Sequence, residues 1–254
     1  MIVLRTGREL AVMREACKIS ANALKLAGEM VKPGVSTWEI DREVRGYIEK
    51  MGATPSFLDY PGPGGKFPAS TCISVNEVVI HGIPSKKQIL KEGDIVDIDI
   101  GAYYKGFHGD NAWTFPCGRI DDEAQRLLDV TRECLFRGIE QARPGNRIGD
   151  IGYGIQGYAE ACNYSVVREF IGHGVGARLH EEPNVPNFGR QGRGGRLLPG
   201  MTIAIEPMIN QGTEKVLVKG DGWTTVTGDG KLSAHFEHTI AITENGPVIM
   251  TEPD

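Results

Sequence analysis

Apolar positions recur three and four apart in four stretches of the chain, and each stretch is bounded by signals for a helix end. The first opens at Thr6-Gly7-Arg8-Glu9, which has capping-box spacing. It continues through Leu10, Met13, Cys17, Ala21, Leu24 and Val31 and is stopped by Pro33-Gly34. The second opens at the capping box Ser36-Thr37-Trp38-Glu39 and runs through Ile40, Val44, Tyr47, Ile48 and Met51 to Gly52. Two further helices are predicted from about Asp122 to Gln141 and from Ile148 to Cys162, the earlier one stopped by Pro144-Gly145. Between them lie β-branched or alternating runs that predict strands. These are Cys72 to Ile80, Ile95 to Ala102, Phe107 to Phe115, Val166 to Ile171, Thr202 to Ile209, Val216 to Val218, Trp223 to Thr227 and His235 to Thr243. The segments Pro61 to Gly65 and Gly189 to Gly195 read as irregular loops. Helix pairs alternating with antiparallel hairpins place the chain in the α+β class, and no interdomain linker interrupts it.

The pattern also repeats. A shift of 111 positions superimposes Pro33, Gly34, Ile40, Gly46, Tyr47 and Glu49 on Pro144, Gly145, Ile151, Gly157, Tyr158 and Glu160. Further on, a shift of 107 superimposes Leu90, Gly93, Ile98 and Asp99 on Leu197, Gly200, Ile205 and Glu206, so carboxylate falls on carboxylate. One reading is that two helix-hairpin units share a Pro-Gly stop by chance. The sharper one is a single domain over 1–254 built from two pseudo-symmetric repeats, about 6–118 and 119–250, that enclose a site on their axis.

Composition narrows the function classes. With 254 residues, 40% hydrophobic and 24% charged, the chain is long enough for a sizeable core. Its net charge of −5, with the two signs interspersed, leaves no basic field for DNA or an anionic membrane. Five scattered cysteines with no CxxC argue against a disulfide framework or a thiolate zinc site and fit a reducing cytosol, so a cytoplasmic location is expected. Neither a signal sequence nor an apolar run of about 18 residues is present.

The candidate chemistry lies in carboxylates that interrupt apolar strands. Asp99 sits in Ile95-Val96-Asp97-Ile98-Asp99-Ile100, and Asp110 in the next run, with Tyr104-Lys105-Gly106 as the turn. Residues opposed across a two-residue hairpin loop add to a constant odd sum, and 99 and 110 also add to an odd number. The two aspartates therefore share one face as direct or diagonal neighbours. Like charges placed so close in an apolar setting call for a cation between them. Glu206 and Glu237 interrupt two later runs in the same way. Either glutamate alone could be an edge-strand charge, but four such carboxylates weaken that explanation. Among six histidines, His173 stands out in Gly172-His173-Gly174-Val175-Gly176, where flanking glycines allow close backbone approach; His81 and His180 each close a strand-like run. Four carboxylates and an imidazole suit two divalent ions of the Mn, Fe, Co or Zn group. Two ions ~3.5 to 4 Å apart can share a hydroxide and polarise a carbonyl, which is hydrolase chemistry. No GxSxG, Walker, HExxH or dinucleotide motif competes.

The run from Asp99 to Asp110, the GHGVG around His173, the IEPMIN at Glu206 and the FEHT at Glu237 resemble the ligand motifs of type I methionine aminopeptidases. The resemblance spans essentially the whole chain. It implies the pita-bread fold, with pseudo-symmetric halves of antiparallel sheet covered by helix pairs, and a dinuclear site of Asp99, Asp110, His173, Glu206 and Glu237. It further implies removal of the initiator methionine from the N-terminal peptide of nascent proteins when the second residue is small. By the same comparison Glu206 also acts as general base, His81 approaches the scissile amide and leaving group, and His180 hydrogen-bonds the peptide oxygen. The methionine side chain is expected among Tyr60, Phe67, Cys72 and Trp223. Leu179 stands where an aromatic residue is common in the family. A transient ribosome contact through Lys86, Lys87, Lys91, Lys215 and Lys219, and a monomeric state, complete the expectations. A Xaa-Pro peptidase on the same fold and a non-catalytic binding protein are the competing readings.

Overall fold

A computed structural model describes residues 2–254. Four helices form where the periodicity predicts them: α1 over Gly7–Met30, α2 over Thr37–Lys50, α3 over Asp122–Gln141 and α4 over Ile148–Ala161. Both capping boxes are made. Thr6 and Ser36 accept the backbone N–H of Glu9 and Glu39, whose carboxylates return to the cap residues. Each cap satisfies amides that a bare helix start would leave open, a gain of about 1 kcal/mol.

The main sheet has nine antiparallel strands. Its path runs Thr54–Pro55, Ile95–Tyr104, Phe107–Pro116, Glu237–Thr243, Thr202–Ile205, Gly172–Gly174 and Glu181–Val185. Cys72–Val75 adds to the strand Ile95–Tyr104, and Gly246–Ile249 adds to Glu237–Thr243. Alternation along the strands decides which side chains meet the helices. Val96, Ile98 and Ile100 join Ile19, Ile40 and Ile48 in a core beneath α1 and α2, while Ile203, Ile205 and Ile240 join Leu127, Leu135 and Ile151 beneath α3 and α4. Trp113 packs against both cores and connects them. Each fully buried aliphatic side chain contributes roughly 1.5–3 kcal/mol of transfer free energy. The odd-numbered Asp97 and Asp99 therefore project from the opposite face of their strand.

The correspondence between Pro33-Gly34 and Pro144-Gly145 extends to backbone hydrogen bonds. Gly34 and Gly145 both have φ of 93°, and their N–H groups donate to Leu90 and Leu197. Leu90 and Leu197 in turn donate to Val35 and Asn146, and the isolated bridge Ser36 to Ile89 is matched by Arg147 to Arg196. Every one of these pairs obeys the two shifts read from the sequence.

Several strands differ from the periodic reading. Cys72 to Ile80 is two strands, because Asn76 takes a left-handed φ of 58° and its side chain bonds Asp94 and the Ile95 N–H, closing a turn. Thr202 to Ile209 breaks at Glu206-Pro207, where proline supplies no ladder donor. His235 to Thr243 divides at Phe236, with Ser233–His235 pairing in a separate small sheet. Val166 to Ile171 is extended only at Ser165–Val166. Glu181–Val185 and Gly246–Ile249 are additional strands; Pro183 hid the first, and it sits at the end of the sheet path, where a missing N–H is tolerated. Pro61 to Gly65 is not wholly irregular, since Pro61–Gly62 pairs with Gly65–Lys66 in a minimal hairpin.

Candidate metal centre

The hairpin turn is Lys105-Gly106, both with positive φ (48° and 90°), as a two-residue turn between right-twisted strands requires. Its register pairs Gly101 with Asp110 and Asp99 with Ala112, so the two aspartates are diagonal neighbours on one face. Ala112 is also opposite Glu237, and Asp99 is opposite Cys72. Cys72, Asp99, Ala112 and Glu237 thus form one row across four strands, with the small Ala112 leaving room between two carboxylates. Glu206 follows the last paired residue of its strand, Ile205, which is opposite His238. His173 lies on the next strand over. The flanking glycines serve the sheet more than the site: a Cβ on Gly172 would fall 2.4 Å from the Ala204 carbonyl oxygen, and one on Gly174 would fall 2.3 Å from that of Glu182.

The five side chains converge. Atoms of Asp110, His173 and Glu237 lie within 4.8 Å of one another, and His173 Nε2 is 3.3 Å from Glu206 Oε1 and 3.8 Å from Asp110 Oδ2. His173 Nδ1 is 2.9 Å from the Gly174 carbonyl, which can only accept, so Nδ1 carries the proton and Nε2 presents its lone pair to the carboxylates. Burial pushes this imidazole down to about 3 and keeps it neutral. Burial pushes Asp110 up to about 7. Burial, then repulsion among the acids themselves, holds Asp99, Glu206 and Glu237 well above the usual carboxylate range. One oxygen on each of Asp99, Asp110, Glu206 and Glu237 is buried without a hydrogen-bond partner among the described residues. Four orphaned carboxylate oxygens around one imidazole lone pair fit hard to borderline divalent cations, which would neutralise the repulsion and satisfy the oxygens together.

These acids form the floor of a cavity of about 140 Å³. All eleven residues given metal, catalytic or pocket roles in the sequence analysis line it, and Phe57 and Leu179 complete the lining. One wall is an apolar cluster of Phe57, Phe67, Cys72, Leu179 and Trp223, with Tyr60 packed on it. Phe67 meets Trp223 edge-on at 5.2 Å. Glycine is needed at Gly62 and Gly64, because a Cβ on either would overlap the Trp223 ring; the Pro61 to Gly65 segment thereby seals that wall. Across the cavity His180 Nδ1 and the Tyr60 hydroxyl share a 2.6 Å hydrogen bond. His81 adopts φ of 58°, a strained conformation for a non-glycine residue, with its ring edge-on to Phe170 and Trp223.

A family model described as "Metallopeptidase family M24" matches residues 11–244. The chain belongs to metallopeptidase family M24. A methionine aminopeptidase of Clostridium perfringens is 53% identical over 251 residues, and methionine aminopeptidase 1 of Bacillus subtilis is 51% identical over 251; each alignment covers 99% of both chains. The crystal structure of a methionine aminopeptidase from Thermotoga maritima superimposes with a TM-score of 0.96 at 45% identity, covering 99% of this chain and 100% of that one. The architecture is accordingly the pita-bread fold, and membership of the M24 family implies use of divalent metal.

Beside the carboxylate cluster lies a pair given no role in the sequence analysis. Asp97 and His235 are almost fully buried with Oδ1 and Nδ1 3.4 Å apart, and no polar atom of either side chain makes a hydrogen bond among the described residues. The signal for Asp97 was available, since it stands two residues before Asp99 and so on the same face. His235 carries none, because the periodic pattern makes its strand continuous with that of Glu237. Asn187 was also missed; its amide donates to the Glu206 carbonyl at 2.9 Å and helps orient that segment.

Proposed function

We propose that this chain is a metal-dependent aminopeptidase that removes the initiator methionine from the N-terminal peptide of nascent proteins when the second residue is small. The observation that carries the reading is a small cavity of about 140 Å³, walled on one side by apolar and sulfur-containing side chains and floored by carboxylates. Such a pocket admits one terminal residue and stops, which is what an exopeptidase requires. The two pseudo-repeats contribute to a single catalytic domain, Asp99 and Asp110 from one and His173, Glu206 and Glu237 from the other.

Those five side chains would hold two divalent ions of the Mn, Fe, Co or Zn group. When bound, the ions supply Lewis acidity and make water acidic enough to ionise near neutral pH. The remaining roles belong to the protein. The methionine thioether packs against Phe67, Trp223, Tyr60 and the Cys72 sulfur, contacts that suit a polarisable group. The largely buried Glu206 carboxylate, besides helping to hold the ions, accepts a proton from the attacking water and returns it to the leaving amine. With its Nδ1 engaged by Tyr60, His180 is left with Nε2 to meet the peptide oxygen as negative charge develops. His81, kept neutral because burial lowers it to about 4, faces the scissile amide from the Phe170 side.

No helix among the described residues is long and apolar enough to cross a membrane. A cytoplasmic, monomeric enzyme that meets nascent chains at the ribosome is the setting we propose, and Lys86, Lys87, Lys91, Lys215 and Lys219 are all exposed. The test is release of methionine from a Met-Ala-Ser peptide with Mn, Fe or Co present, metal content being measured alongside. Absence of release with every ion would overturn the proposal, and faster cleavage of an Ala-Pro peptide would favour a Xaa-Pro peptidase.

A further inference from the structure

The segment between the strands Gly172–Gly174 and Glu181–Val185 supplies two of the cavity residues, Leu179 and His180, yet has no regular structure of its own. Its first part is tied to the sheet, with the Val175 N–H bonded to the Thr202 carbonyl and the Gly176 N–H folded back onto Arg178. Its last part is closed by the Glu181 carboxylate. One oxygen accepts the Arg178 N–H at 3.0 Å, and the other lies 2.5 Å from Arg5 Nη2. Both side chains of this ion pair are buried, at 6% and 8% exposure. Arg5 precedes α1, and its N–H donates to the Gly200 carbonyl at 2.7 Å. Its guanidinium lies over the Phe107 ring and against Gly176, where a Cβ would overlap it.

We propose that Arg5 is a positioning residue for the active site: through Glu181 it fixes the Arg178–Glu181 turn, and with it the placement of His180 and Leu179. The role assigned to His180 rests on the function proposed above. Net stability is a poor reason for this pair, because two buried charges recover little over an apolar pair of the same shape. Geometry is the better one. Both Glu181 oxygens are committed, so the turn has a single arrangement, whereas the His180 side chain itself makes one hydrogen bond, to Tyr60. A catalytic group displaced by about 1 Å can lose roughly a hundredfold in rate, so what sets the turn also sets turnover. The pair uses one nitrogen and one oxygen, so a lysine ammonium can replace the guanidinium.

The test compares the full chain with Arg5→Met and Arg5→Lys, by steady-state kinetics on a Met-Ala-Ser peptide per folded site and by histidine ring signals in NMR of the metal-free protein. Arg5→Met is expected to lower kcat by roughly tenfold to a hundredfold with KM within about threefold. The same variant should move the His180 signals and leave those of His238 in place, and Arg5→Lys should restore most of kcat. Unmoved His180 signals, or an unchanged kcat, would overturn the proposal. Should Arg5→Met fail to fold, Arg5→Met combined with Glu181→Met, which strands no charge, is read out the same way with the same expectations. If the unmodified chain releases no methionine, the proposed function fails alone, and the His180 signals still decide whether Arg5 positions the turn.

Discussion

The two halves of the molecule deliver their carboxylates by different means. In the first, Asp99 and Asp110 come from one hairpin with ten-residue strands and a two-residue turn, so ten intervening residues fix their relation. In the second, Glu206 directly follows the strand Thr202–Ile205 and Glu237 opens the strand beside it, but the chain between them leaves the sheet. It forms the strands Met208–Asn210, Val216–Val218, Thr225–Thr227 and Ser233–His235 before returning, and on the way it inserts Trp223 into the pocket wall. A local device builds one half of the floor, whereas the other half is assembled together with the apolar wall that Trp223 completes. Changes to the hairpin should therefore act on metal and stability, and changes to the excursion on substrate.

The largest expected effect falls on the second half. Glu206→Gln keeps the shape and removes the proposed proton acceptor, and should lower kcat about a thousandfold. A titration of activity against each metal ion separates lost chemistry from lost metal; activity restored by excess metal would assign Glu206 to binding alone.

The next effect tests whether both halves share one cluster. Without metal, the raised Asp110, Asp99, Glu206 and Glu237 favour the folded state most below the ordinary carboxylate range, and that contribution is lost as pH rises through their raised values, which for Asp110 is about 7. His173, lowered to about 3, acts in the opposite direction, losing stability as pH falls from about 6.5. Metal binds the deprotonated acids and the neutral imidazole, so it should raise Tm by roughly 5 to 10 °C at a hundredfold excess over Kd. Calorimetry with and without chelator should find the rise greater at pH 8 than at pH 5. An equal rise at both would show that protons and metal do not compete.

Ala112→Val sharpens the comparison at the seam. The added methyls enter the row between Asp99 and Glu237 and should weaken metal binding about tenfold, as measured by equilibrium dialysis, with little change in the substrate wall. Trp223→Ala should do the reverse, raising KM for Met-peptides while metal affinity holds.

The smallest effects are on backbone. Gly106 has φ of 90° with nothing within 4 Å of an added Cβ, so Gly106→Ala should cost about 1–2 kcal/mol through conformation alone. Gly46 and Gly157 are equivalent positions in α2 and α4, also with open space around them. Alanine at either should stabilise the protein by up to ~1 kcal/mol in urea unfolding, equally in the two halves.

Much was written in the order of residues. The starts of α1 and α2 follow from capping boxes and the ends of α1 and α3 from Pro-Gly stops, because these act within one turn of helix. The shared face of Asp99 and Asp110 follows from the parity of a two-residue turn. Both are consequences of short-range geometry that the chain cannot escape. Tertiary structure decided the rest: the row from Cys72 through Asp99 and Ala112 to Glu237, the burial of Asp97 against His235, and the link from Arg5 to Glu181 across 176 positions. Strand neighbours in a sheet are chosen by how whole faces pack, and that choice is made between segments far apart in sequence, where no local pattern records it.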